Sequence, residues 1–62
     1  MQQIIQNGTQ AVSIYANQPE GPFYSNLYVN CAAERLGDIT PINAKHKSLK
    51  GAIKWASKQV AQ

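Results

Sequence analysis

The sequence is poor in the residues that build chemistry. Its 62 residues include one Cys, one His, one Trp and only three carboxylates, Glu20, Glu34 and Asp38. A lone thiol cannot form a disulfide within the chain. Cys31 and His46 together fall short of the ligands that a zinc site needs. There is no defensible Ser-His-Asp or Cys-His-Asn grouping to activate a nucleophile, and Gly21, Gly37 and Gly51 are too scattered to form a phosphate loop. The sequence therefore predicts no enzyme, no cofactor and no metal centre. No apolar run approaches the ~20 residues of a membrane span. The stretch Met1–Gly8 has neither the basic nor the apolar region of a signal peptide, and a free thiol fits a reducing compartment. These absences predict a cytoplasmic protein with no membrane partner, in which the sequon-like Asn7-Gly8-Thr9 is simply a turn.

Large apolar residues are also few: six Ile, three Leu, three Val and single Phe, Met and Trp residues. A core of this size supports one domain over residues 1–62, one helix against one small sheet, and no deep pocket. Small cores often need help from a partner, which makes a homodimer one way to bury more surface.

What is present is periodic. Asn7-Gly8 predicts a type I′ hairpin between Gln3–Gln6 and Thr9–Tyr15. Val12, Ile14 and Ala16 alternate with Ser13, Tyr15 and Asn17, the period of a half-buried strand. Asn17–Pro22, with two prolines and a glycine, is a loop. From Phe23 to Arg35 the pattern puts Leu27, Val29, Cys31 and Ala33 on one face and Tyr24, Asn26, Tyr28, Asn30 and Glu34 on the other. Ile39–Ala44 reads as a short strand, and Pro41, without an N–H, makes it an edge strand or a bulged one. Ser48 is a good N-cap, and Leu49, Ala52, Ile53, Ala56 and Val60 then share one arc of a helix of roughly three to four turns. The predicted fold is α+β: a small antiparallel sheet of three or four strands with one C-terminal amphipathic helix on one face. The order is β-β-β-β-α, or β-β-β-α if the first strand does not form.

Charge is segregated along the chain. Residues 1–38 carry Arg35 against three carboxylates, a net of 1 − 3 = −2, and residues 39–62 carry five lysines and no carboxylate, a net of +5, which together give the overall +3. Lys50, Lys54 and Lys58 recur every fourth residue, where like charges cost a few tenths of a kcal/mol per pair. The helix dipole offsets part of that cost near the C-terminus, but not for Lys45 and Lys47, which precede the helix. The stripe Lys45, Lys47, Lys50, Lys54 and Lys58 is thus a candidate docking surface for nucleic acid or an acidic protein surface. The plainer reading is a solvated face that keeps a small protein dispersed. Lysine meets phosphate as a point charge and reads bases poorly, so nucleic acid would be bound largely without sequence preference.

Tyr15 and Tyr28 supply the second candidate. They alternate outward with Ser13, Asn17, Asn26 and Asn30, and Tyr24 is a further member. Such a sheet face suits base stacking or a protein interface, although tyrosines are also good strand formers in their own right. If the helix covers the Val12/Ile14/Leu27/Val29 face, the tyrosines and the helix lysines lie on opposite sides of the molecule. His46 reads as an exposed loop histidine, Cys31 as an inert core thiol and Trp55 as a core-edge residue.

Three strands followed by a helix, over roughly residues 11–60, resemble in element order the AP2-type DNA-binding domains and some phage integrase N-termini. Those domains read DNA with Arg- and Trp-bearing strands, whereas the strands here carry Arg35 and no Trp. In size and character the chain also resembles phage-encoded inhibitors of the anti-CRISPR kind, a resemblance that implies occlusion of a larger host complex. The expectation is a non-enzymatic binding protein whose basic helix docks on an acidic partner, with nucleic acid favoured. The alternative is a protein-interaction module or phage-type inhibitor.

Overall fold

Asn7 and Gly8 do set the first turn, but one residue later than a type I′ hairpin predicts. Asn7 pairs with Gln10 as the last rung of the ladder, which leaves Gly8 and Thr9 as the central turn residues. Among the described residues only Gly8 of this pair has a positive φ, 65°, as in a turn of type II′ with glycine first. In the computed structural model, which describes residues 2–61, the chain continues as β1 (Gln2–Asn7), β2 (Gln10–Tyr15), β3 (Phe23–Val29), β4 (Asp38–His46) and α1 (Leu49–Val60). Met1, counted above among the apolar residues, lies outside the described residues. The strands form one antiparallel sheet in the order β1-β2-β3-β4, with the helix against one face.

The core follows from the alternation on β2 and β3. Val12 and Ile14 are fully buried, and with Ala16, Phe23 and Leu27 they meet Ala52, Ala56 and Val60 of α1. Two fully buried alanines in the helix let its backbone approach the sheet closely. Leu49, Ile53 and Trp55 widen the contact from the helix side, and Ile5 widens it from β1. Fully burying a Val or Ile side chain contributes about 1.5–3 kcal/mol, so these few residues hold the fold. The helix starts at Ser48, whose Oγ accepts from the Gly51 N–H at 3.1 Å. At the other end the Asn7 side chain donates to the Val60 carbonyl at 2.9 Å and ties β1 to the last turn.

β3 stops at Val29, six residues short of the predicted end. Asn30 takes φ 56° and Glu34 takes φ 62°. Asn tolerates this left-handed region better than most residues, and a strand cannot pass through it. The chain instead folds into a loop. Cys31 donates its N–H to Thr9, Ala32 and Arg35 exchange backbone hydrogen bonds, and the Gln6 side chain donates to the Ala32 carbonyl. Ala33, expected on the buried face, is exposed, while Cys31 is buried in the loop and accepts from the Gly37 N–H at 3.4 Å. Gly37 is fixed by closeness: a Cβ there would sit 2.1 Å from the Val29 carbonyl oxygen.

β4 runs beyond Ile39–Ala44 at both ends. It is an edge strand, as Pro41 requires, and it is also irregular, with a register shift against β3 between Asn26 and Tyr28. Five residues of β4 (Ile39 to Asn43) lie against three of β3 (Asn26 to Tyr28). The Thr40 hydroxyl stitches the irregularity, donating to the Leu27 carbonyl and accepting from the Ile42 N–H.

Candidate functional site: the open sheet face and the lysines

The face of the sheet away from the helix is organised by register into three cross-strand rows. The first is Gln2, Tyr15, Tyr24 and Lys45; the second is Ile4, Ser13, Asn26 and Asn43; the third is Gln6, Ala11, Tyr28 and Ile39. None of these positions carries a carboxylate, and Lys45 is the one formal charge. The face is open chiefly at its edges and in its first row: Ile4, Tyr15 and Ile39 are exposed, whereas Ser13 and Ala11 are buried. The Gln2 amide donates to the Ser13 hydroxyl at 3.2 Å, and the loop after β3 reaches Gln6 from the far side. A groove lined by Ile4, Gln6, Glu34, Arg35 and Leu36 separates that loop from β1.

The first row contains the closest aromatic arrangement. The Tyr15 and Tyr24 rings are stacked with centroids 5.4 Å apart and planes at 28°. Lys45 Nζ lies 5.9 Å from the Tyr24 centroid, within cation–π range. Tyr24 thus takes a central place in the cluster. Tyr28 sits two rows away, opposite Ala11 and Ile39. Asn17 and Asn30, expected with the tyrosines, lie beyond the strands, and Asn30 donates instead to Asp38 at 3.1 Å.

The lysines divide between two surfaces. Lys50, Lys54 and Lys58 are exposed on α1, with Lys58 in its last turn, and Lys47 is exposed in the turn before Ser48. Lys45 belongs to the tyrosine face, so the stripe expected over Lys45–Lys58 starts on the sheet and crosses to the helix. Of the carboxylates, Asp38 lies at the other end of β4 from Lys45, five rungs or about 17 Å away at strand rise, and Glu34 lies in the β3–β4 loop, in the groove with Ile4 and Gln6. Glu20 lies in the β2–β3 loop, at the Lys45 end.

His46 is not the exposed loop residue that the sequence suggests. It closes β4 opposite Phe23, half-buried, with its ring 5.7 Å from the Trp55 ring. Its Nε2 and the Ser25 hydroxyl are buried polar atoms without hydrogen-bond partners. Among the described residues no group of three or more His, Cys, Asp or Glu side chains could hold a metal ion, and no helix is long and apolar enough to cross a membrane.

Sequence reasoning missed the pairing of Lys45 with Tyr24. Its signal was indirect. Pro41 announced an irregular strand, but the number of residues in the irregularity decides which face Lys45 takes, and that number emerges only from the paired strands. Fold and site define a class, a four-stranded antiparallel α+β protein with one covered and one open sheet face. No family model, no curated protein and no solved structure matches this chain.

Proposed function

We propose that this chain is a non-enzymatic nucleic-acid-binding protein that docks through its lysines, largely without sequence preference. The observation that carries this reading is the exposed series Lys47, Lys50, Lys54 and Lys58, in a segment with no carboxylate of its own from residue 39 onward. Cations so arranged repel one another, and a polyanion that neutralises them removes the repulsion and releases its counterions. The non-enzymatic part rests on the placement of the two reactive side chains: His46 packs on Trp55, and Cys31 is buried in a loop.

The test is binding of single-stranded and duplex oligonucleotides at ~50 mM salt and its decline as salt rises. The double variant Lys50→Glu/Lys54→Glu is expected to fold normally and to lose binding. Undetectable affinity, or affinity independent of salt, defeats the reading. The same lysines also fit an acidic protein surface. A partner retained from nuclease-treated extract, with no oligonucleotide binding, would favour an inhibitor that occludes a larger complex.

A further inference from the structure

Lysines alone do not distinguish a duplex from a single strand, but the sheet face beside them does. Tyr15 is 41% exposed, and its ring is backed by Tyr24 in the 5.4 Å stack. Bases stack on protein aromatics when they are unpaired; in a duplex their faces are already occupied by neighbouring bases. Lys45 stands beside this stack, 5.9 Å from the Tyr24 centroid, and none of the positions in the three cross-strand rows of this face is a carboxylate. The cations then continue in sequence from Lys45 on the sheet, through Lys47 in the turn, to Lys50 in the first turn of the helix.

Size decides what can follow that track. The molecule measures 30 × 20 × 19 Å. Duplex DNA has a persistence length of about 500 Å, so it does not fold around a corner on this scale. A single strand does, because its backbone is unconstrained by pairing.

We propose that the outer sheet face is a stacking site for single-stranded nucleic acid. In it an unpaired base lies on Tyr15, Tyr24 supports that ring, and Lys45 neutralises the adjacent phosphate. This inference rests on the nucleic-acid reading of the lysines and adds the strandedness of the ligand and the location of its bases.

The experiment is a fluorescence-anisotropy titration of the full chain with a labelled oligothymidylate of about ten nucleotides and with a duplex of equal length, at ~50 mM salt. The wild type is expected to prefer the single strand. Tyr15→Ala should weaken single-strand binding by about 5- to 150-fold, the range for loss of one stacked base, and leave duplex binding nearly unchanged. Tyr15→Phe should keep the affinity, because the ring is what stacks. Lys45→Gln, at an exposed position, should lower the log–log salt slope by about 0.7 on the single strand. It provides a second reading should Tyr15→Ala not fold, which thermal unfolding of each variant checks.

Equal affinity for the two probes, with Tyr15→Ala and Lys45→Gln both neutral, overturns the stacking site and leaves the lysine reading standing. Binding of neither probe overturns both. A dimer in sedimentation equilibrium that Tyr15→Ala dissociates gives this face to a second copy of the chain and also overturns the proposal.

Discussion

The two faces of the sheet are built from the same strands and differ in almost every respect. On β2, Val12 and Ile14 disappear beneath the helix, while Ser13 and Tyr15, one residue further on in each case, belong to the opposite face. On β3, Phe23 and Leu27 are buried in the core, while Tyr24, Asn26 and Tyr28 stay half-exposed on the other side. The covered face is mainly apolar and closed by Ala52, Ala56 and Val60. The open face is aromatic and amide-rich, with one cation. With the helix on one face only, period-2 alternation places stability and the proposed recognition on opposite sides of a single sheet, so substitutions at neighbouring positions should have unlike effects.

The largest expected contrast is between adjacent residues. Ile14→Ala removes a fully buried side chain between β1 and β3 and should cost about 2–5 kcal/mol, enough to unfold much of a protein this small. Tyr15→Ala should cost under ~1 kcal/mol, as exposed substitutions do. Urea denaturation of the pair breaks the comparison if the two costs are alike.

Next comes the loop that closes the third-row end of the open face. Gly37→Ala forces a Cβ against the Val29 and Asn30 carbonyls, which are backbone and cannot swing aside. A cost of about 1–3 kcal/mol is expected, with amide exchange quickening first around Cys31 and Ala32. Smaller still, Ser48→Ala removes the helix cap and should lower stability by about 1 kcal/mol without altering oligonucleotide affinity, because Ser48 holds the helix and is not among the lysines.

The smallest effect tests the covered face itself. Ser25 is fully buried opposite Ile14, with a hydroxyl that has no partner. Ser25→Ala removes a buried polar atom and breaks no hydrogen bond, so stability should stay within ~1 kcal/mol of the wild type and move upward. A clear loss would mean that the hydroxyl is satisfied in solution by a bound water.

Much of this architecture was legible in the residues. The helix was, because Ser48 caps it and its apolar positions recur at helical spacing. So was the sense of β2, because its alternation is unbroken and a slip of one residue would expose Val12 and Ile14. The end of β3 was not. Periodicity continues through Cys31 and Ala33, and the left-handed backbone at Asn30 and Glu34 leaves little trace in residue type. The first turn was misplaced by one residue because Asn-Gly supports both turn positions. Asn7 has another role, since its side chain meets the Val60 carbonyl, a contact between residues that are 53 apart in sequence. The candidate site was half legible. Tyr15, Tyr28 and the helix lysines follow from spacing, but the cluster of Tyr15, Tyr24 and Lys45 is made by pairing across three strands.

The central claim is that the open face, and not the covered one, receives the ligand. Side-chain NMR during titration with unlabelled oligothymidylate tests it most directly. The account predicts upfield ring-current shifts of the Tyr15 and Tyr24 ring protons, smaller shifts at Lys45, Lys47, Lys50 and Lys54, and unmoved methyl signals from Val12, Leu27 and Val60. Tyrosine signals that stay fixed while shifts are confined to the helix lysines, or core methyls that move with them, would contradict it.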